Sequence, residues 1–330
     1  MYERLGQVTL KTGEAAEVGR VLGPDPVWGP KLMYLLGHKG QPWAWQIAQS
    51  LERDDLGFAS HFYVLSKGGT PFANICTFEA EGVGTLGHVY TSTQERRKGA
   101  ADLLMRALMD DFRARGGRAL YLGTEYDTPP YHLYARHGFV GREEGSGYMF
   151  YFKGSRQAFE TAHFAAGPAR IEPIAFKHWP VLPALTMMEH PCQLRAPGMR
   201  LVGPKSSEGP VLFLLKEIAE GGQSVAGAVA VSEATGATAG FAVRNPDHYF
   251  GGQVDILDVF TAPGFEKDIA AMVDAVGHVE GRKMICYSDR RCEAKDEALK
   301  ALGFTVEGSL KKHLRAPWGG MDVEVWSKFV

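Results

Sequence analysis

The sequence predicts an α+β protein made of two similar domains, residues 1–164 and 165–330. Three observations carry this. Strand-like and helical segments interleave along the chain, and the order of the first half returns in the second. At the centre of the first half, Gln94-Glu95-Arg96-Arg97-Lys98-Gly99-Ala100-Ala101 joins a strand-like run to a helical one. A length of 330 residues also suits about two domains.

Gln7–Thr12 reads as a first strand. Gly13–Glu52 is mixed, with Pro24, Pro26, Pro30 and Pro42 interrupting short helical pieces. Within it, Trp43, Ile47 and Leu51 at i, i+4 spacing predict a helix over Trp43–Leu51. His61–Ser66 and Thr70–Ala80 form a hairpin about Lys67-Gly68-Gly69, and Glu81-Gly82-Val83-Gly84 turns into a strand at Leu86–Thr91. The helix Ala100–Arg115 carries an apolar stripe of Leu103, Leu104, Ala107, Leu108 and Phe112, stopped at Gly116-Gly117. Arg118–Gly123 is apolar at its centre, as a buried parallel strand should be. A short helix over Tyr131–His137, closed by Gly138, and a strand over Gly147–Lys153 complete the half.

Ala165–Pro173 reads as a linker running into a strand. Helices are expected at His178–Glu189, Asp268–His278 and Ala294–Leu302. Strands are expected at Pro210–Lys216, Ser224–Val231, Val254–Thr261, Lys283–Ser288 and Asp322–Phe329. Val89-Tyr90-Thr91 matches Val259-Phe260-Thr261, and Gly138-Phe139 matches Gly303-Phe304. The anchors are 47 residues apart in the first half (91 to 138) and 42 in the second (261 to 303). A period this long signals a duplicated domain.

Composition narrows the function classes. The chain is 45% hydrophobic and 22% charged, with net charge −2, so no overall field draws it to nucleic acid or a membrane surface. No apolar run approaches the roughly 18 residues of a transmembrane helix. The segment Met1-Tyr2-Glu3-Arg4-Leu5 has no apolar signal region, so the cytoplasm is the expected compartment. Cys76, Cys192, Cys286 and Cys292 are too scattered for a disulfide framework and poorly spaced for zinc, so reduced thiols and no metal are expected.

The loop at Arg96–Ala101 is suited to a phosphate. The free N–H groups and dipole of a helix start favour an anion. Gly99, lacking Cβ, lets the backbone come close, and Arg96, Arg97 and Lys98 add charge. Arg96-Arg97-Lys98-Gly99-Ala100-Ala101 resembles the Gln/Arg-x-x-Gly-x-Gly/Ala pyrophosphate loop of the GNAT superfamily of acyl-CoA-dependent N-acyltransferases. Leu133-Tyr134-Ala135-Arg136-His137-Gly138-Phe139 is similar to that family's Leu-Tyr-x-x-x-Gly-Phe segment, at a family-like distance. The resemblance covers roughly residues 1–153. It implies a mixed, mostly antiparallel sheet flanked by helices, with a splayed central parallel pair. The second half resembles the same fold in degraded form: Ala262-Pro263-Gly264-Phe265-Glu266-Lys267-Asp268 keeps no Arg-x-x-Gly, and Leu299 stands in the place of Tyr134. An acidic loop repels pyrophosphate, so this half is expected to be non-catalytic.

The resemblance implies an N-acetyltransferase that uses acetyl-CoA. Val89 and Thr91 backbone groups would hold the pantetheine arm and the acyl carbonyl, acting as an oxyanion hole. The amides of Arg97, Lys98, Gly99, Ala100 and Ala101 would cradle the pyrophosphate. Tyr134 would be the general acid toward the departing thiolate, a phenol of pKa about 10 being able to protonate it. The alternative for Tyr134 is core packing with a hydroxyl that only bonds the cofactor. Asp127 stands where the family often has a cofactor-contacting asparagine. The general base stays open among His88, Glu79, Glu125, His132 and a water chain. His88 is an odd number of residues from Thr91, so strand alternation puts the two on opposite faces unless a bulge intervenes. Residues 23–45 would wall the substrate site or pack in the core. The acceptor would be a small-molecule or peptide amine, and the protein a monomer or homodimer. A non-catalytic acyl-CoA sensor or assembly module is the competing class.

Overall fold

Turn glycines and β-branched runs lay down the first sheet. The computed structural model describes all residues except Gln223, His248, Phe250, Gly251, Pro317 and Val330. Chain contacts divide it into Met1–Phe159 and Glu160–Val330. The first unit runs β1 (Tyr2–Thr9), β2 (Ala15–Leu22), α1 (Gly29–Leu35), α2 (Trp43–Glu52), β3 (Ala59–Lys67), β4 (Thr70–Ala80), β5 (Val83–Thr91), α3 (Ala100–Ala114), β6 (Ala119–Gly123), α4 (Pro129–Arg136), β7 (Val140–Gly141), β8 (Tyr148–Phe152) and α5 (Arg156–His163). The division falls inside α5.

The sheet order is β1-β2-β3-β4-β5-β6-β8-β7. Every neighbouring pair is antiparallel except β5 and β6. Helix α3 buries Leu104, Met105, Leu108, Met109 and Phe112 against β3, β4 and β5. Each such side chain contributes about 1.5–3 kcal/mol by leaving water. Gly117 is required where α3 ends: a Cβ there would meet the Phe112 ring at 2.4 Å.

The second unit continues β9 (Ala169–Pro173), α6 (Leu182–Thr186), β10 (Leu194–Ala196), β11 (Leu201–Val202), α7 (Glu208–Ala219), β12 (Ala226–Ser232), β13 (Thr238–Pro246), β14 (Val254–Thr261), α8 (Ile269–Val276), β15 (Lys283–Ser288), α9 (Glu293–Ala301), β16 (Thr305–Ala316) and β17 (Gly319–Phe329). Its main sheet reads β9-β12-β13-β14-β15-β17-β16, with β14 and β15 the parallel pair. This is the order β2-β3-β4-β5-β6-β8-β7 of the first unit, down to the exchanged final hairpin. The predicted α+β class with mixed sheets and a central parallel pair therefore describes both units.

Several expectations are corrected. Pro210–Lys216, expected as a strand, lies within α7. Val211–Leu215 is uniformly apolar, a pattern with no period to separate strand from buried helix, and Pro210 sits in the first turn, where no N–H is needed. His178–Glu189 is not one helix: a 3₁₀ turn at Phe176–His178 precedes the short α6, with Pro180 between them and Pro183 in the first turn of α6. The strands β2, β13 and β16 and the helix α5 were not anticipated. No described helix is long and apolar enough to cross a membrane.

Candidate functional site

Strand β5 positions the site. On one side it pairs with β4, but the register breaks: Asn74 faces Tyr90 while Cys76 faces Gly87, so His88 and Val89 stand opposite one residue. This is a β-bulge, and His88 takes φ 51° there. Asn74 Nδ2 holds it by donating to the His88 carbonyl at 3.1 Å. Leu86 and Val89 thus both face the core, whereas His88 turns to Gln46, Trp43 and Phe78. From His88 to Thr91 alternation is regular, so the two lie on opposite faces, Thr91 toward α3.

On its other side β5 pairs with β6 only at Val83, Gly84 and Thr85. Leu122 and Gly123 of β6 pair with β8 alone. The parallel strands diverge, and the backbone of Leu86–Thr91 faces a gap where an extended ligand can add hydrogen bonds as a strand would.

The loop after β5 makes a 3₁₀ turn at Thr93–Glu95, then places Arg97 at φ 65° and Gly99 at φ 85° as the N-cap of α3. Lys11 N–H donates to the Lys98 carbonyl at 3.0 Å, tying the loop to the β1–β2 turn. A cleft of about 490 Å³ opens here. Val89, Thr91, Arg96, Arg97, Gly99, Ala100 and Ala101 all line it, together with Leu133, Lys11 and Arg136. Arg96 Nε donates to the Thr91 carbonyl at 3.1 Å.

Three expected site residues stand apart. Lys98 Nζ is bound to Glu14 at 3.2 Å and Glu95 at 3.1 Å, so its charge is spent inside an ion network with Lys67. Asp127 does not line the cleft; it is exposed, in the left-handed region, and accepts from His132 Nε2 at 2.9 Å. Tyr134 is 6% exposed in the core cluster, its ring tilted against Phe139 at 6.0 Å. Its neighbour Leu133 forms the cleft wall.

The base candidates are engaged or remote. Glu79 is buried and bridged by Arg115 at 2.8 Å. Glu125 is exposed on the turn before α4. His132 is held by Asp127. His88 is buried, and burial, with Lys39 and His38 nearby, pushes its pKa down to about 3. Sequence reasoning missed Lys11 and Arg136 as cleft cations. Arg136 lies inside the Leu-Tyr-x-x-x-Gly-Phe segment and was findable; Lys11 joins only through the fold.

The second unit treats the same place differently. Strand β14 pairs with β13 without a bulge. In the loop before α8, the Gly264 N–H is taken by Glu266 Oε2 at 2.8 Å, and Phe265 is fully buried. The carboxylate occupies the donor an anion would need. On the other face, Asp258 accepts from the Gly198 and Met199 amides at 3.0 and 3.1 Å, so the unit's own chain covers β14. Among the described residues, no group of three or more His, Cys, Asp or Glu side chains is placed to hold a metal.

Residues 32–139 match the family model "Acetyltransferase (GNAT) family". No curated protein sequence matches the chain. Among solved structures, ribosomal-protein-S5-alanine acetyltransferase from Vibrio fischeri is similar at 15% identity and TM-score 0.39, over 50% of this chain and 95% of that one. The phosphinothricin acetyltransferase from Sinorhizobium meliloti, in complex with AcCoA, is similar at 15% identity and TM-score 0.39, over 49% and 88%. A GNAT-family acetyltransferase from Streptococcus pneumoniae shows 18% identity and TM-score 0.38, over 49% and 99%. The family match covers residues 32–139, about a third of the chain, and takes in the loop before α3 and the diverging pair β5 and β6.

Proposed function

We propose that the chain is an acetyl-CoA-dependent N-acetyltransferase acting on a primary amine, with its site in the first unit and a degenerate, non-catalytic copy of the fold in the second. The observation that carries this is the single cleft shared by the open edge of β5 and the glycine-capped start of α3. Gly99 fits the role: at φ 85° it admits no side chain without strain, and a Cβ would meet the Lys11 side chain at 3.2 Å. When bound, acetyl-CoA supplies the thioester acyl group. The amides of Arg97–Ala101, with Arg96, Arg97, Lys11 and Arg136 around them, would hold its pyrophosphate.

Backbone N–H groups at Val89 and Thr91 would hold the pantetheine arm and polarise the acyl carbonyl. The acceptor face of β5 carries His88 and Tyr90, with Trp43 edge-on to His88 at 5.7 Å and His38 against Tyr90 at 4.1 Å. This aromatic face would seat the amine. Tyr134 would give its hydroxyl proton to the leaving thiolate. His88 stays neutral and bonded to Gln46, which supports loss of the amine proton to water rather than to a protein base.

Thiol release from acetyl-CoA across a panel of primary amines tests the reading. Amine-dependent release that saturates in both substrates supports it. Tight CoA binding with no release on any amine would favour a sensor instead.

A further inference from the structure

The second unit opens a cavity at a place where the first is filled. Val83 pairs with Ala119, and Val254 pairs with Lys283, so β6 and β15 start in the same register. Counting back from those two residues aligns the end of α3 with the end of α8. Asp110 then corresponds to Asp274, Phe112 to Val276 and Arg113 to Gly277. One residue further along, Leu120 faces Tyr151 of β8, and Met284 faces Lys328 of β17. Lys328 therefore stands in the place of Tyr151.

In the first unit these side chains fill the space. The Tyr151 ring lies against Phe112 at 6.1 Å and Phe139 at 5.9 Å. Arg113 stacks over the same ring at 5.6 Å and pairs with Asp110 at 3.4 Å. In the second unit both rings and the guanidinium are replaced by Val276, Gly277 and Lys328. A cavity of about 400 Å³ opens there, lined by Val273, Met284, Leu302 and Phe304, with Asp274, His278 and Lys328 around them. This volume, with an apolar lining and a few polar groups, suits a small ligand.

The charges define the ligand further. Asp274 keeps the carboxylate of Asp110 but has no arginine beside it, and Lys328 is half-buried. Among the described residues neither makes an ion pair. Asp274 also sits in the last turn of α8, where the helix dipole favours a cation. His278 adds a ring nitrogen at the exposed rim. A molecule completing this site needs a cation for Asp274, an anion for Lys328 and a flat apolar body to take the space that two rings fill in the first unit.

We infer that the cavity is a binding site for a free aromatic α-amino acid. Its ammonium pairs with Asp274, its carboxylate with Lys328, and its ring lies on Phe304, Leu302 and Met284. The second unit is then a ligand-binding module, whatever the chemistry of the first.

Titration calorimetry of L-phenylalanine into the full chain tests this, with 3-phenylpropionate and 2-phenylethylamine as probes that each lack one charge. The expected result is one phenylalanine per chain and at least tenfold weaker binding of either analogue. Lys328→Met and Asp274→Asn, both at the cavity rim, should fold and each weaken phenylalanine at least tenfold. Lys328→Tyr, which restores the ring of the first unit, should abolish binding. No binding to the folded wild-type chain, an analogue that binds as tightly as phenylalanine, or affinity unchanged in the three folded variants overturns the inference.

Discussion

His88 Nε2 lies 2.6 Å from Gln46 Oε1, and this contact fixes the tautomer of a buried imidazole. Gln46 gives its amide N–H to Ser50 Oγ at 2.8 Å, so its oxygen is the acceptor and His88 keeps its proton on Nε2. A histidine on the reacting strand therefore serves as a neutral strut under the bulge.

This predicts a pH dependence of stability. The folded pKa is depressed from 6.5 to about 3, so between these values the unfolded chain binds a proton that the folded chain does not. Stability then falls as pH drops below 6.5, by about 2 kcal/mol at pH 5. His61, pushed by burial down to about 4, adds in the same direction. Asparagine tolerates the positive φ at this position, so His88→Asn should fold and lose one proton's share of the slope. Denaturant melts at pH 5 and 7 measure it, and an unchanged slope would remove His88 as the source.

Neighbouring cations of the loop should behave differently. Arg97 lines the cleft, whereas Lys98 is neutralised by Glu14 and Glu95. Arg97→Ala should weaken CoA binding roughly tenfold, as loss of a charge-assisted phosphate contact does. Lys98→Ala should change affinity by about twofold or less and act mainly on the ion network, whose exposed pairs are screened by solvent. Equal losses in calorimetry would mean that Lys98 leaves its network to meet the ligand.

Tyr134→Phe separates chemistry from binding. The ring packs in the core with Phe139, which phenylalanine preserves. Turnover should fall on the order of 100-fold, the scale of a lost general acid, with CoA affinity nearly unchanged. Equal turnover in the variant would leave Tyr134 a core residue only.

How much of this was legible depends on the kind of signal. The Leu86–Thr91 strand, the loop and α3 were readable because strand, glycine and helical stripe follow each other within one local stretch. Val254–Thr261 and Lys283–Ser288 were readable for similar reasons. The register break at His88 was not, because nothing in Gly87-His88-Val89 marks a bulge; it exists through pairing with β4 and the Asn74 bond. The Lys98 partners were equally hidden, since Glu14 comes from the β1–β2 turn. Helix α7 was misread because an all-apolar core segment has no period. The acidic replacement after β14 was visible as composition, and the structure adds its consequence, a glutamate seated on the glycine amide.

The central claim is one acyl-CoA site per chain, in the first unit, built on the Gly99 loop. Titration calorimetry of acetyl-CoA into the wild-type chain and Gly99→Asp tests it most directly. The account predicts one site per chain in the wild type and a loss on the order of 100-fold or more in the variant, which adds strain at φ 85° and a negative charge where the pyrophosphate would lie. Two sites per chain, or unchanged affinity in a folded Gly99→Asp, would contradict it.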